Sequence, residues 1–399
     1  MAKLALCGGT PVHTTGSPPW PQVTDADRAQ LEKLLADGYR RGEYVSALER
    51  RFGAYCGVRH CIAVANGTVS LELILRALGI GYGDDVILSP YTFIATLSAI
   101  VHAGARPVFA DIDRNTYNMD PADLEKRLTP NTKAVIVTAV AGRPTDSDAF
   151  EALAKKYGFV YIIDAAQAVG AGWKNVSLCK YGIAASISCQ NSKNLTAGEG
   201  GFITTDNDAL ADGIRTILAG GAKDGVYVSV GQFHAMNDRQ AALMLSQMGK
   251  LDGEIKLRER NAAYLDGLLR PLPFVSPTAH DPRITTHAYH LYMLRFHEDV
   301  LAEKGLDRRK MLKALLAEGI PFGTGYQPLY RFGSVGADLT QRIVGRAIDR
   351  RELPECAYGC DHEAAWTTQN VLLGTFEDMD DIADAMVKVW ENADELRER

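Results

Sequence analysis

One lysine, Lys193, lies in a stretch of small polar residues between an apolar run and a glycine-rich turn. The stretch reads Ser188-Cys-Gln-Asn-Ser-Lys-Asn-Leu-Thr-Ala-Gly-Glu-Gly-Gly. Small side chains let the backbone approach a bulky group closely. A lysine in such a pocket can have its pKa lowered and act as a nucleophilic amine. The ordinary alternative, a surface lysine in a loop, stays open at this point.

A carboxylate, Asp164, follows directly after the apolar run Phe159–Ile163. Burying a carboxylate at the end of a strand is costly unless the carboxylate has a partner. Two interpretations are open. Asp164 caps a helix that begins at Ala165, or it pairs with a cationic group of a ligand.

The tripeptide Asn66-Gly67-Thr68 comes between another apolar run and a helical pattern. Backbone N–H groups at a helix N-terminus, with a threonine hydroxyl beside them, suit a phosphate group. The same three residues also make an ordinary turn and N-cap.

The elements that must position these residues are short strands alternating with helices between residues 55 and 220. Continuous apolar strands are typical of a parallel sheet covered on both faces, and ligands of such sheets bind beyond the carboxyl ends of the strands. The predicted strands are Cys61–Ala65, Asp85–Leu88, Pro107–Ala110, Ala134–Ala139, Phe159–Ile163, Ala185–Ser188 and Phe202–Thr205. The predicted helices are Val69–Leu78, Tyr91–His102, 121–128 and 148–157.

The pattern changes after residue 238. Asp238–Leu268 is one helical pattern and predicts a single helix that bridges two domains. A strand over His290–Phe296 and helices near 307–317 and 379–397 predict a smaller domain. We therefore predict an α/β fold with an irregular N-terminal arm over 1–20, a large α/β domain over 21–250 and a smaller α+β domain over 251–399.

Composition and charge argue against several classes of protein. The formal net charge is -6 and the basic residues are interspersed with acidic ones, unlike the basic stripe of a nucleic-acid binder. No apolar run reaches the roughly 18 residues that span a membrane, and the N-terminus is a poor signal peptide, so we expect a cytoplasmic protein. The 7 cysteines are odd in number and sparse, which argues against a disulfide framework. Cys356-x3-Cys360-x-His362 lacks a second Cys/His pair nearby, and we expect no metal site.

Four motifs carry a resemblance to a known family. They are Asn66-Gly-Thr-x-Ser-Leu-Glu-Leu, Pro90-Tyr-Thr-Phe-Ile-Ala-Thr, Asp164-Ala-Ala-Gln and Ser192-Lys-Asn-Leu-Thr-Ala-Gly-Glu-Gly-Gly. In this order and spacing they resemble the DegT/StrS family of pyridoxal-phosphate (PLP) aminotransferases of sugars and cyclitols. The opening Leu4-Ala-Leu-Cys-Gly-Gly-Thr-Pro-Val most resembles members that act on inososes. The pair Gln190-Asn191, shortly before Lys193, is similar to the corresponding residues of 3-amino-5-hydroxybenzoate synthase.

The resemblance implies the PLP fold-type-I architecture, with a mostly parallel, seven-stranded type of sheet, and a role for each candidate residue. Lys193 would join covalently to pyridoxal 5'-phosphate and later shuttle the substrate α-proton. Asp164 would pair with the pyridinium nitrogen and so make the ring a better electron sink. Gln167 would hydrogen-bond the ring 3-oxygen. The phosphate would be held by Gly67, Thr68 and Ser188.

Two further cofactor contacts follow from the resemblance. Phe93 would stack on the cofactor face, with core packing of the Tyr91–His102 helix as the alternative. Family members often carry Asn-x-Arg-Met before the long helix, where the Asn reaches a neighbouring subunit's phosphate. Phe233 and Ala235 replace that Asn and Arg here, and Asn237 is the candidate substitute.

The function that the resemblance implies is transfer of an amino group from L-glutamine or L-glutamate to a keto-cyclitol or keto-sugar in aminoglycoside-like biosynthesis. Departures from the family at Ala139, Val169 and Thr367 favour an alternative, PLP-dependent dehydration and aromatisation, or other carbanion chemistry, on a cyclic ketone. The loss of Asn and Arg before Met236 favours a second one, a non-catalytic partner subunit.

Beyond the amino donor and the keto acceptor, the resemblance implies one partner, a second copy of the chain in a homodimer. No nucleic acid or membrane is expected. The sequence leaves open whether four further polar side chains touch substrate, namely Arg143, Lys223, His290 and Tyr326.

Overall fold

The apolar runs form strands, because apolar and β-branched side chains pack well on both faces of a buried sheet. The computed structural model describes residues 3–38, 42–332 and 348–396. In chain order the strands are β1 (His60–Val64), β2 (Asp85–Leu88), β3 (Arg106–Phe109), β4 (Thr132–Thr138), β5 (Val160–Asp164), β6 (Gly172–Trp173), β7 (Val176–Ser177), β8 (Ala184–Ser188), β9 (Gly201–Thr205), β10 (Ala222–Lys223), β11 (Val226–Tyr227), β12 (Val275–Pro277), β13 (Ile284–Thr286), β14 (Leu291–Phe296) and β15 (Ala364–Thr368).

Seven of these strands form the main sheet, in the order β1-β9-β8-β5-β4-β2-β3. Neighbouring strands pair in parallel except at β9, which is antiparallel to both β1 and β8. The mostly parallel sheet predicted from the sequence is therefore confirmed. The register of β4 and β5 places Thr138 beside Asp164 at the carboxyl edge of the sheet.

Helices cover both faces of this sheet. In chain order they are α1 (Asp25–Ala36), α2 (Glu43–Cys56), α3 (Gly67–Ala77), α4 (Ile94–His102), α5 (Pro121–Arg127), α6 (Ser147–Tyr157), α7 (Asp208–Leu218), α8 (Asp238–Gln247), α9 (Leu251–Leu269), α10 (Glu298–Glu303), α11 (Arg308–Ala317), α12 (Pro354–Tyr358) and α13 (Phe376–Glu391). Successive strand residues alternate between two cores: Ile87 and Val135 pack on one face, and Val86 and Ala134 on the other. The alternation shows why the strands are continuously apolar.

The single long helix predicted over Asp238–Leu268 is wrong. The chain forms two helices instead, α8 and α9, which are separated by Met248, Gly249 and Lys250. The second helix, α9, joins two hydrophobic cores. Its first turns pack in the core of the main sheet through Leu251, and its later turns pack in a separate core through Leu265.

That separate core belongs to the smaller C-terminal region, where β12, β14 and β15 form an antiparallel sheet against α9, α11 and α13. The N-terminal arm packs here as well, since Leu4 is fully buried in the same core. Buried Glu318 fixes the arm by accepting hydrogen bonds from the backbone N–H groups of Ala5 (2.8 Å) and Val12 (3.2 Å). Apart from a 3-10 turn over Ala5–Cys7, the first 20 residues contain no regular element among those described. The boundary near residue 250 stays a prediction.

Three other observations bear on the sequence predictions. The last helix ends at Glu391, and position 397 of its predicted range lies outside the described residues. None of the helices in the described ranges is long and apolar enough to cross a membrane. All seven cysteines are free. The sulfurs of Cys356 and Cys360 lie 3.9 Å apart, and His362 pairs with Glu298 at 2.7 Å.

Candidate active site

A cavity of about 890 Å³ opens beyond the carboxyl ends of β1, β4, β5 and β8. This is the edge where open α/β sheets bind their ligands. The cavity is lined by Trp20, Asn66, Gly67, Thr68, Leu71, Thr92, Phe93, Ala95, Thr138, Asp164, Ala166, Gln167, Ser188, Gln190, Asn191, Ser192, Lys193, Glu199, His290, Leu291, Tyr326, Trp366, Thr368, Gln369 and Asn370.

Asp164 ends β5 and is buried at the floor of the cavity. Its Oδ2 accepts a hydrogen bond from the Thr96 hydroxyl at 2.8 Å, and its Oδ1 accepts one from the Ala166 N–H at 3.1 Å. Burial raises the pKa of this carboxyl, and the Thr96 hydroxyl, the Ala166 N–H and the charge of Lys193 lower it in part. No helix begins at Ala165, so the N-cap interpretation is wrong. The carboxylate is available to a cation in the cavity.

Lys193 lies in the loop between β8 and β9, and its side chain lines the same cavity. Burial lowers its pKa, and the charge of Asp164 opposes that effect. Its backbone N–H donates to the Gln190 carbonyl at 2.8 Å, which holds the loop in a tight turn. No hydrogen bond or ion pair joins its amine to another side chain in the part of the chain that the structure describes. Lys193 is half-buried in a cavity, whereas an ordinary surface lysine would be exposed.

The N-terminus of α3 meets the end of β8 at one end of the cavity. Asn66 caps α3 by accepting a hydrogen bond from the Val69 N–H at 2.9 Å, and Gly67 and Thr68 follow as its first residues. The first N–H groups of a helix have no acceptor within the helix. A Cβ atom on Gly67 would stand 2.8 Å from the Ser188 Cβ, so only glycine allows these two elements to approach so closely.

Gln167 is held between two neighbours. Its Oε1 accepts a hydrogen bond from the Ala141 N–H at 2.6 Å, and its Nε2 donates to the Tyr326 hydroxyl at 2.8 Å. Because a backbone N–H can only donate, the orientation of the amide is fixed. One hydrogen of Nε2 remains for an acceptor in the cavity.

Phe93 lies at the mouth of the cavity and is 57% exposed. The helix predicted from Tyr91 begins instead at Ile94, and Phe93 occupies its N-cap position. The alternative that Phe93 packs in a helix core is therefore wrong. Its ring is free to stack on a planar ligand.

Comparison with known proteins decides the family. The sequence profile described as the DegT/DnrJ/EryC1/StrS aminotransferase family matches residues 21–342. The chain belongs to this family. It is an aminotransferase, with the α/β architecture of PLP fold-type-I enzymes.

Relatives and solved structures agree with this assignment. The chain is 35% identical to L-glutamine:2-deoxy-scyllo-inosose aminotransferase of Streptoalloteichus tenebrarius, covering 99% of both chains. It is 36% identical to the enzyme of the same name from Streptomyces paromomycinus, covering 97% of both. The crystal structure of 3-amino-5-hydroxybenzoic acid synthase superposes with a TM-score of 0.87 at 27% identity, over 95% of this chain and 100% of the other.

The cavity of this family member brings together all but one of the residues singled out from the sequence. Those that line it are Gly67, Thr68, Phe93, Asp164, Gln167, Ser188 and Lys193. Asn237 does not. Its side chain caps α8, accepting hydrogen bonds from the N–H groups of Arg239 and Gln240 at 3.1 Å each, and its role toward a neighbouring subunit stays a prediction.

Of the four polar residues left open, His290 and Tyr326 line the cavity. Arg143 lines a different cavity of about 450 Å³, and Lys223 is an exposed residue of the β10–β11 hairpin. The family departures at Ala139 and Val169 are buried in the core of the large sheet rather than in the cavity lining.

Sequence reasoning missed several side chains of the site. Trp20 comes from the N-terminal arm, and Gln369 follows β15 at the far end of the chain. Thr96 lies within a quoted motif, two residues into α4, yet its contact with Asp164 spans 68 positions. No local pattern signals such contacts.

Proposed function

We propose that this enzyme transfers the amino group of L-glutamine or L-glutamate to the ketone of a cyclitol or sugar, with pyridoxal 5'-phosphate as its cofactor. One observation carries the proposal: a buried carboxylate, Asp164, and a lysine with a lowered pKa, Lys193, share one cavity beyond the sheet.

The residues present fit the cofactor. A buried carboxylate whose described partners are neutral donors is stabilised by a cation, and a protonated ring nitrogen is one. The spare N–H of Gln167 suits the ring 3-oxygen, and the face of Phe93 suits the ring. The N–H groups of Gly67 and Thr68, beside the Ser188 hydroxyl, suit the phosphate.

The cofactor supplies an electron sink for the carbanion that forms at the substrate α-carbon. Asp164 would hold the ring nitrogen protonated, and Thr96 and Ala166 keep its carboxylate in place. Lys193 Nζ must be neutral to take the α-proton, and burial lowers its pKa in that direction. The same amine would give the proton back before each half-reaction ends, which leaves Nζ neutral for the next one.

The acceptor is proposed from the relatives and from the cavity. Two relatives that align over nearly the whole of both chains are named as aminotransferases of L-glutamine and 2-deoxy-scyllo-inosose. The wall formed by β15 and the residues after it offers neutral polar and aromatic groups, among them Trp366, Thr368, Gln369 and Asn370. Such a wall suits a polyhydroxylated ring, because hydroxyl groups need both donors and acceptors.

A homodimer is proposed as the working form. The segment from β11 to Phe233 exposes a run of apolar side chains, with Val230 83% and Phe233 84% exposed. Contiguous exposed apolar surface marks interaction sites. A second copy of the chain would cover this segment, as the family resemblance implies. The cytoplasmic location stays a prediction.

The test separates transfer from elimination. The purified enzyme is loaded with cofactor, converted with L-glutamine and then given 2-deoxy-scyllo-inosose, and the ring product is identified by mass spectrometry. A new amine on the ring and 2-oxoglutaramate from glutamine support the proposal. A dehydrated ring without nitrogen, or no reaction in either half, contradicts it.

A further inference from the structure

Gln369 lines the cavity, and its side chain carries an unpaired hydrogen-bond donor. The Arg258 guanidinium donates to Gln369 Oε1, and a guanidinium can only donate, so the orientation of the amide is fixed. Among the described residues Gln369 Nε2 has no hydrogen-bond partner, although the residue is only 1% exposed and lines the cavity. A buried donor without a partner is costly, so this one is suited to an acceptor atom of a ligand.

His290 also lines the cavity, and its ring carries an acceptor. Asn194 Nδ2 donates to the Ala288 carbonyl at 2.7 Å, which leaves its Oδ1 as the acceptor for His290 Nδ1 at 3.1 Å. His290 Nδ1 therefore carries the proton in the neutral ring, and Nε2 keeps its lone pair. Burial and the nearby charges of Lys193 and Arg258 lower the pKa of His290, which keeps the ring neutral.

His290 directly precedes β14 and Gln369 directly follows β15, and these two strands pair with each other. The Gln369 N–H donates to the His290 carbonyl at 3.1 Å, so the residues are direct neighbours on one wall of the cavity. Arg258, fully buried, lies under the Trp20 ring at 5.4 Å from its centroid. This packing limits the movement of the arginine that orients Gln369.

We infer that Gln369 and His290 together bind a neutral substrate group that accepts one hydrogen bond and donates another. This inference rests on the proposed function, whose two substrates each carry such a group: a ring hydroxyl of the acceptor and the carboxamide of glutamine. A carboxylate is disfavoured, because it only accepts and would face the lone pair of His290 Nε2. The pair thus selects polyhydroxylated or amide-bearing substrates over acidic ones.

The central variant is Gln369→Glu. It keeps the size of the side chain and the contact with Arg258, and it removes the donor. We expect the KM of the affected substrate to rise about 10- to 100-fold with kcat little changed, as for one lost buried hydrogen bond. Gln30→Glu is the matched control, since Gln30 lies on α1 and does not line the cavity.

The two half-reactions of the loaded enzyme identify the bound group. A raised KM for 2-deoxy-scyllo-inosose alone assigns the pair to a ring hydroxyl. A raised KM for glutamine but not for glutamate assigns it to the carboxamide. Equal losses with glutamine, glutamate and alanine would indicate the α-carboxylate and overturn the inference, and so would an unchanged KM for every substrate.

His290→Phe provides the second variant, because it removes the acceptor and keeps a ring of similar size. If both residues bind one group, the effects of the two substitutions on KM are non-additive in the double variant. Independent, additive effects overturn the inference. Unchanged thermal melting and an unchanged cofactor spectrum show that each variant folds.

A binding measurement separates this inference from the proposed function. Calorimetry with scyllo-inositol, a ring polyol that has no ketone to react, needs no turnover. If the wild type binds it and Gln369→Glu weakens binding about 10-fold or more, the inference stands even where no transfer occurs. If the wild type transfers amino groups and Gln369→Glu behaves as the wild type in every assay, the inference alone fails. If the wild type neither binds scyllo-inositol nor reacts with either substrate, both fail.

Discussion

The Thr96 hydroxyl donates a 2.8 Å hydrogen bond to Oδ2 of Asp164, and it does so from the first turn of α4, whereas Asp164 ends β5. Thr138, the last residue of β4, lies 3.5 Å from the same oxygen. Two neutral hydroxyl groups, together with the Ala166 N–H, thus orient a buried carboxylate that lines the cavity. Its geometry is set by the protein before any ligand arrives.

Replacing Thr96 by valine should weaken catalysis more than folding. Valine has the same shape but cannot donate, so Asp164 would hold the cofactor nitrogen less firmly. A hydrogen bond to a charged group is worth about 1.5–3 kcal/mol, which predicts a kcat lower by about 10- to 100-fold. Steady-state kinetics measures this. Thr96→Ser keeps the hydroxyl and should retain most of the activity, and an equal loss in both variants would contradict the assigned role.

Asp164→Asn should stabilise the cofactor-free chain while it abolishes efficient transfer. The raised pKa of Asp164 means that the folded state disfavours the ionised carboxyl. The pKa of Asp164 is higher in the folded chain than in the unfolded chain. The free energy of unfolding is therefore highest below the unfolded pKa, and it falls as the pH rises through the folded pKa. We expect the free energy of unfolding at pH 7 to rise by about 1–2 kcal/mol in the variant, with the gain shrinking in acid. Urea unfolding at several pH values measures it, and a destabilised variant at neutral pH would contradict the account.

Gly67→Ala should impair cofactor binding. The new Cβ would stand 2.8 Å from Ser188 Cβ, and relieving the clash moves the N-terminus of α3 away from β8. Overpacking of this kind costs about 1–3 kcal/mol, so the cofactor Kd should rise by about 5- to 150-fold. Equilibrium dialysis measures the Kd. Gly253→Ala in α9 is the control, because nothing lies within 4 Å of its added Cβ, and it should leave the Kd unchanged.

The pH dependence of cofactor capture should report the pKa of Lys193. Only the neutral amine attacks the cofactor aldehyde, so the capture rate rises with pH until Lys193 is deprotonated. Burial places that plateau below the ordinary value of 10.5. The charge of Asp164 raises the pKa of Lys193, so Asp164→Asn should move the plateau to still lower pH. Stopped-flow absorbance at a series of pH values measures this, and a shift to higher pH would contradict the electrostatic argument.

The main sheet was predictable because its strands are buried on both faces and are therefore apolar without interruption. The prediction failed where the signal was weak. The helical periodicity continues from α8 into α9, and Gly249 is the one residue of the intervening turn that could have marked a helix end. Without a proline, the pattern reads as one helix.

Some residues of the site could also be predicted from the sequence, and others could not. Lys193, Asp164 and Gly67 follow strands and could be found from local motifs. Gln369 and Trp20 also line the cavity, but they come from the C-terminal region and the N-terminal arm, far along the chain from those motifs. The Gln167–Tyr326 contact spans 159 positions, and contacts of that range depend on domain packing that no local pattern encodes.

The central claim is that the amine of Lys193 joins covalently to the cofactor. The most direct measurement is borohydride reduction of the protein with pyridoxal 5'-phosphate, followed by proteolysis and mass spectrometry. The account predicts one pyridoxyl-phosphate adduct, located on Lys193, and none on that peptide in Lys193→Ala. An unmodified Lys193, or adducts spread over surface lysines such as Lys223 at equal levels, would contradict it.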